Sequence, residues 1–354
     1  MGSVTGLFTS ENRLHPAARE ILLDGIDKGW ADPAKLHRPS RELANLLTES
    51  KVIFARILGL KEETVTFVGE PTLGFFLGIN GLLQPMSDGR LIYPATARQE
   101  VIAVAQSTRR SLSLEVDLDG SWKIPQALPG DLLVWPKANS ETGARSPSPE
   151  SFAGPIFVDA TPDPMISLPT RWSTALFDSR SWSGPAGLGI FAVNDQASWR
   201  NPMPHLDHRV VPGGFNPALA IASAVALEAD LIDRTKTITK ISELNSIIRN
   251  FLQSEISDVD IASPADALPH LLSFSFLYID AQQLVDRMER RGFSIDSGSA
   301  CISANLEASH VLAAMGRLTH GNVRIHLYPE HTQSDITSLL QALKEEVALL
   351  RGNS

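Results

Sequence analysis

An α/β fold with a mostly parallel sheet is predicted for the larger part of the chain, with a smaller α+β block behind it. Three observations predict it. Short, uninterrupted apolar runs recur through roughly the first two thirds of the sequence, amphipathic helical spacing appears beside them, and the pattern turns to long helices after Asn216-Pro217. Uninterrupted apolar strands belong in a sheet covered on both faces, which usually means parallel strands. Ligands in such sheets bind beyond the carboxyl ends of the strands.

Leu43, Leu46, Leu47, Phe54, Ile57 and Leu58 follow Pro39-Ser40 at helical spacing, and Gly59 closes the segment; this predicts a helix of about five turns. The runs at 65–68, 132–135, 156–158, 175–177 and 188–193, each bounded by polar, Gly or Pro residues, read as strands. The stretch 137–153 is polar, Ser/Pro-rich and aperiodic, and reads as a surface loop. Helices over 218–229 and 238–254, a strand over 271–279, a helix over 281–291, a strand over 323–327 and a closing helix over 333–350 make up the second block. The division expected is a large domain over 15–230 and a small one over 231–354, with residues 1–14 as a segment that could join the small one.

The chain has 354 residues, 43% of them hydrophobic, and a formal charge of −9. That length can bury one large core or two. The acidic balance, without clustered Lys and Arg, argues against a nucleic-acid partner. A single cysteine, Cys301, leaves no intramolecular disulfide and suits a reducing compartment, so a cytoplasmic protein is expected. The start, Met1-Gly2-Ser3-Val4, lacks the pattern of a secretory signal, and no run approaches about 18 apolar residues, so no membrane association is expected. Phosphate-loop, nucleophile-elbow and paired Cys-x-x-Cys motifs are missing. His205 and His208 have only Asp207 beside them, too few ligands for a metal site, and no metal is expected.

The informative pieces come in a definite order. They are Gly29-Trp30, Asp32-Pro33 and Leu36-His37; Gly69-Glu70-Pro71-Thr72 after a strand; Asn139-Ser140-Glu141-Thr142-Gly143; Val158-Asp159-Ala160; and Ser183-Gly184-Pro185-Ala186-Gly187-Leu188-Gly189. Ser297-Gly298-Ser299-Ala300-Cys301, Ser309-His310-Val311-Leu312, Met315-Gly316 and Asn322-Val323-Arg324-Ile325 follow. This succession resembles the cysteine desulfurases, the NifS/IscS-like group of the class V aminotransferase fold, over nearly the whole chain. The resemblance implies the pyridoxal phosphate (PLP) transferase fold type I, with a mostly parallel seven-stranded sheet in the large domain, and a homodimer. It also implies PLP as cofactor and L-cysteine as sulfur source.

Carried over position by position, the resemblance makes Asp159 the partner of the cofactor's pyridine nitrogen, Thr72 a phosphate contact and Asn139 part of the cofactor site. Arg324 becomes the grip on the substrate carboxylate, and Cys301 the nucleophile that takes sulfur as a persulfide. Read from residues alone, Asp159 is a strand-end carboxylate capping a turn, and Cys301 a small buried hydrophobe. The departures are as telling. Where the family has a His-Lys pair before Gly-Pro, this chain has Arg180 and Ser181, and a hydroxyl cannot form a Schiff base. Arg98 falls where the family stacks a His on the ring, Pro162 replaces a Gln, Ser140 replaces the second Asn, and Gly213-Gly214-Phe215 replaces Ser-Gly-Thr.

Lys137 is the nearest substitute lysine in the sequence. Arg98 and Arg180 could hold an anion in a vacated pocket, or pair with Asp178 and neighbouring carboxylates. Trp182, Trp199 and Phe215 could refill the cofactor's space or serve as plain core. The reading favoured is a desulfurase-like pseudoenzyme with PLP not covalently bound or absent. It would act in sulfur trafficking or cofactor assembly, as a homodimer or beside an active relative, with a sulfur-acceptor protein as a further partner. The alternatives are an active PLP desulfurase working through Cys301, and a repurposed anion-binding pocket.

Overall fold

Alternation within the apolar runs sends successive side chains to opposite faces, so each strand of the main sheet feeds two cores. The computed structural model describes residues 6–11, 13–28, 32–83, 89–163, 167–195, 198–204, 214–298 and 308–352. In chain order the elements are β1 (Leu7–Phe8), α1 (Pro16–Lys28), α2 (Arg38–Leu58), β2 (Val65–Val68), α3 (Pro71–Leu83), β3 (Leu91–Pro94), α4 (Gln99–Ser107), β4 (Ser111–Leu114), β5 (Leu132–Pro136), β6 (Ile156–Asp159), β7 (Thr174–Asp178) and β8 (Gly189–Val193). They continue with α5 (Pro217–Glu255), β9 (Val259–Ile261), β10 (Leu271–Phe276), α6 (Ala281–Arg290), β11 (Ser294–Ser297), α7 (His310–Ala314), β12 (Asn322–His326) and α8 (Gln333–Gly352).

Seven strands form the main sheet in the order β2-β8-β7-β6-β5-β3-β4. All are parallel except β8, which runs antiparallel to both neighbours. Leu133, Trp135 and Val158 point to the side covered by α2 and α5, whereas Leu132, Val134 and Phe157 meet α3 and α4 on the other. The predicted fold class is the observed one. A five-stranded second sheet, β1-β11-β12-β10-β9, is mostly antiparallel and packs on α8 and the later part of α5.

The expected helices over 218–229 and 238–254 are a single 39-residue helix, α5. Asn216 starts it by accepting from the Ala218 amide at 3.0 Å, and Pro217 follows at the first turn. Its first half packs small residues such as Ala220, Ala222 and Ala224 against the main sheet, and its second half sends Ile241, Leu244 and Ile248 into the second core. The linking turns carry Arg234, bonded to Asp230 at 2.5 Å across one helical turn, so the helix continues where the apolar signal lapses. The boundary expected at 230/231 falls inside it.

The stretch expected as a surface loop is also different. Lys137, Ala138, Thr142, Gly143 and Ala144 are buried, and Ala138 bridges to Arg145. Asn139 organises it: its side-chain oxygen accepts from the amides of Glu141 (2.9 Å) and Thr142 (2.8 Å), satisfying backbone groups that burial would otherwise strand. Among the described residues no helix is long and apolar enough to cross a membrane.

Candidate functional site

The carboxyl ends of β3, β5, β6 and β7 open toward one side, and their loops meet α5 and the second sheet around a cleft of about 670 Å3. Arg98, Ser140, Thr161, Pro162, Arg180, Ser181 and Arg324 all line it. Asp178 ends β7 and caps the 3₁₀ turn Ser179–Trp182 by accepting from the Arg180 amide at 2.9 Å. The same carboxylate takes Arg180 Nε at 3.0 Å and an Arg180 terminal nitrogen at 2.6 Å. This hydrogen-bonded pairing holds the Arg180 guanidinium above its ordinary pKa. Ser181 Oγ donates to the Asp178 carbonyl at 2.7 Å.

Asp159 ends β6 and is 1% exposed. One of its oxygens accepts from Thr161 twice, from the amide at 3.0 Å and from the hydroxyl at 2.6 Å. Burial pushes the Asp159 carboxyl above its ordinary range, opposed by Arg98 and Thr161. Arg98, just before α4, sits over the Phe75 ring at 5.7 Å and pairs with Glu100 at 3.4 Å. Burial works against its charge, yet Asp159 and Glu100 outweigh it and hold the guanidinium above its usual value. Its Nε is buried and finds no acceptor among the described residues, a state that costs roughly 1–3 kcal/mol.

Arg324, on β12, faces this group from the second sheet. It donates to the Ser297 carbonyl at 3.2 Å and lies 3.9 Å from Glu141. Its Nε and Glu141 Oε1 are likewise buried without partners among the described residues. Asn139 joins the two walls, donating to the Thr96 carbonyl at 2.8 Å, two residues before Arg98, while it accepts from Glu141. Deeper lie Lys137 and Asp163, 3.4 Å apart, with Arg145 3.7 Å from the same carboxylate. Burial lowers the Lys137 pKa against the opposing pull of Asp163. His270 and His326 are both neutral-leaning: burial lowers His270, and burial with His270 and Arg324 lowers His326 to about 3.

The structure thus brings Arg98, Ser140, Arg180, Ser181 and Arg324 to the lining of one cleft, while Asn139 and Asp159 stand behind that lining, Asn139 bonded to Thr96 and Glu141 and Asp159 to Thr161. Thr72 is not among the residues lining it: it is exposed on the first turn of α3, and its hydroxyl donates to Glu70 at 3.2 Å. Cys301, His205, His208 and Gly213 lie outside the described residues. Trp182 and Trp199 are buried, bonded to the Ser223 carbonyl at 3.2 Å and the Leu77 carbonyl at 2.9 Å, and Phe215 packs on Phe67; of the three, Trp182 also lines the cleft. Sequence reasoning did not assign Thr161, Asp163, Arg145, His270 and His326 to the site. Their positions depend on strand ends and loops far apart in sequence, and no local signal marks them.

The fold is shared with known proteins. The family profile described as Aminotransferase class-V matches residues 182–339. A protein named cysteine desulfurase IscS from Dictyoglomus turgidum is 23% identical over 97% of this chain and 94% of its own length. The cysteine desulfurase of Trichormus azollae is 26% identical over 97% and 92%. A solved NifS-like protein from Rickettsia africae superposes with a TM-score of 0.85 at 18% identity, covering 97% of this chain and 99% of that one. The chain has the NifS/IscS-like class V fold. PLP is the cofactor that the resemblance implies, so its fit can be tested against the side chains in the cleft. A PLP imine needs an amine, and Ser181 offers a hydroxyl already given to a carbonyl. Asp159 is covered by Thr161 and balanced by Arg98, and the Thr72 hydroxyl is engaged by a carboxylate that would repel a phosphate. These residues do not fit a cofactor held covalently at Ser181.

Proposed function

We propose that this desulfurase-like protein has lost covalent PLP chemistry and acts as a partner or regulator in sulfur trafficking or cofactor assembly. The observation that carries the reading is Ser181, whose hydroxyl is bonded to the Asp178 carbonyl at 2.7 Å in the turn where the family's lysine would stand. Lys137, the nearest substitute, is 7% exposed and paired with Asp163, which argues against its serving as the missing amine. The guanidiniums of Arg98 and Arg180 stand where family members carry imidazoles, and both are built into ion pairs. Relatives named cysteine desulfurases, together with a solved structure titled "SspA in complex with cysteine", keep cysteine chemistry in view. On this reading the protein works in the cytoplasm as a homodimer, or beside a catalytically active relative, and meets a sulfur-acceptor protein near Cys301.

The test is the absorption spectrum of the purified protein with added PLP, followed by borohydride reduction and mass analysis. The expected result is no imine band and no reduced adduct. A single modified lysine would overturn the reading, leave an active PLP desulfurase in its place, and make sulfide release from L-cysteine the next assay.

A further inference from the structure

One part of the cleft wall carries none of the residues that the resemblance assigns to cofactor or substrate. It is apolar, made by Ile238 and Ile241 of α5 and by Ala267, Leu268 and Pro269 of the loop before β10. Hydrogen bonds tie these pieces to one another. The Asn245 side chain on α5 donates to the Pro269 carbonyl at 2.8 Å, and the Leu268 amide donates to the Gly143 carbonyl at 2.9 Å. Arg145, two residues after Gly143, reaches the same loop, its Nε donating to the Asp266 carbonyl at 3.0 Å. Its side chain lines the cleft and is 46% exposed, so the guanidinium is open to a ligand. Nε is the only nitrogen of that side chain with a hydrogen bond among the described residues. The carboxylate paired with it, Asp163, stands 3.7 Å away and is shared with Lys137 at 3.4 Å. Two cations on one carboxylate leave a single positive charge unbalanced there. Arg98, Arg180 and Arg234, by contrast, each have a carboxylate of their own in Glu100, Asp178 and Asp230. Arg249 spends its nitrogens on Asn245 and on the Ser263 and Pro264 carbonyls. His270 adds no charge, because burial lowers its pKa.

We propose that this part of the cleft is a subsite for a monocarboxylate with a compact apolar body, its carboxylate on the terminal nitrogens of Arg145 and its body against Ile238, Leu268 and Pro269. The charge and the wall select the ligand together. A planar guanidinium with its terminal donors unspent suits a carboxylate, and one negative charge restores the balance that Asp163 alone does not give. Inorganic phosphate brings more charge than the cluster lacks and has no apolar part to lay on the wall. The hydrogen bonds from Arg145 to Asp266 and from Leu268 to Gly143 hold the cation and the wall side by side, so a short chain reaches from one to the other. The subsite uses neither Ser181 nor Cys301, and it stands whether or not covalent cofactor chemistry has been lost.

The experiment is isothermal titration of the full chain with hexanoate, acetate and inorganic phosphate. Hexanoate should bind at least ~tenfold more tightly than acetate, because its extra methylenes leave water for the apolar wall. Arg145→Gln should weaken hexanoate at least ~tenfold by removing the charge-assisted contact. Circular dichroism checks the fold of each variant. If Arg145→Gln does not fold, Ile238→Glu sets a like charge in the half-buried wall while leaving the Arg145 link to Asp266 in place, and should weaken hexanoate to the same extent. Absence of hexanoate binding, acetate or phosphate binding as tightly as hexanoate, or affinity lost in Arg324→Gln but kept in Arg145→Gln would each overturn the proposal. The last of these would seat the carboxylate on the grip that the resemblance assigns to Arg324. The result separates from that of the function reading, because a PLP imine is read optically in a parallel sample and its presence or absence leaves the Arg145 comparison unchanged.

Discussion

At the scale of single residues, the cleft is held together by buried charge. Asp159 sits at 1% exposure with Arg98 as the cation that offsets it. Removing one member of such a pair leaves the other uncompensated, which typically costs ~3–5 kcal/mol. Arg98→Gln should therefore lower the unfolding free energy by about 3 kcal/mol at pH 7, and Asp159→Asn in the same chain should recover most of it. Urea unfolding of both variants decides this; an Arg98→Gln loss under about 0.5 kcal/mol would mean the two charges do not support each other. The neighbouring histidines give a pH dependence of known sign. His270 and His326 have folded-state pKa values below the ordinary 6.5, His326 at about 3. The unfolded chain therefore binds more protons than the folded one below about pH 6.5. Their contribution to stability is complete above that pH and is lost as pH falls toward the folded values, at up to ~1.4 kcal/mol per pH unit for each histidine. The urea midpoint should fall between pH 7.5 and 5.5, and His326→Gln should flatten that slope; a slope unchanged in the variant contradicts the assignment.

At the scale of elements, α5 is the part the sequence misdescribes most. Its 39 residues span about 58 Å, and its middle carries exposed Leu231 and Ile232, so no single apolar stripe runs through it. Periodicity reads each half against its own core and sees two helices. Asp233 is exposed in that middle stretch, so a proline there tests continuity without touching either core. Asp233→Pro should cost about 3 kcal/mol or more, because it removes one backbone bond and clashes with the preceding turn. Two helices joined by a loose link would tolerate it, and a change in the urea midpoint near zero would favour that alternative. The same physics explains α3. Gly74, Gly78 and Gly81 dilute its apolar pattern, yet a Cβ at these positions would strike Leu176, Phe157 and Trp199. What weakens the helical signal is what lets the helix lie close on the sheet.

At the scale of the whole molecule, strands β5 to β8 were legible because each is an unbroken apolar run buried on both faces. β4, with its alternating Ser-Leu-Ser-Leu at the sheet's edge, and the two-residue β1 carry too little pattern to be seen. In the cleft, the ordered motifs singled out the residues at strand ends. The Lys137–Asp163–Arg145 cluster was not legible, because it forms only when separate loops close on one another. That closure is also what joins the two sheets. Gly143 accepts from the Leu268 amide at 2.9 Å, Arg145 donates to the Asp266 carbonyl at 3.0 Å, and His310 donates to the Ala97 carbonyl at 2.9 Å. With α5 common to both cores, these contacts should make the chain unfold as one unit. Gly143 is the point to press: its φ of +71° disfavours any side chain, and an added Cβ would stand 3.1 Å from the Leu268 nitrogen. Gly143→Val should open the seam, cost about 2–3 kcal/mol, and split a single calorimetric transition into two as the cores lose their coupling. A wild-type protein that already melts in two steps would mean that neither α5 nor the loops couples the cores, and a variant that keeps one transition at an unchanged midpoint would place the cooperativity in α5 alone rather than in the closed loops over the cleft.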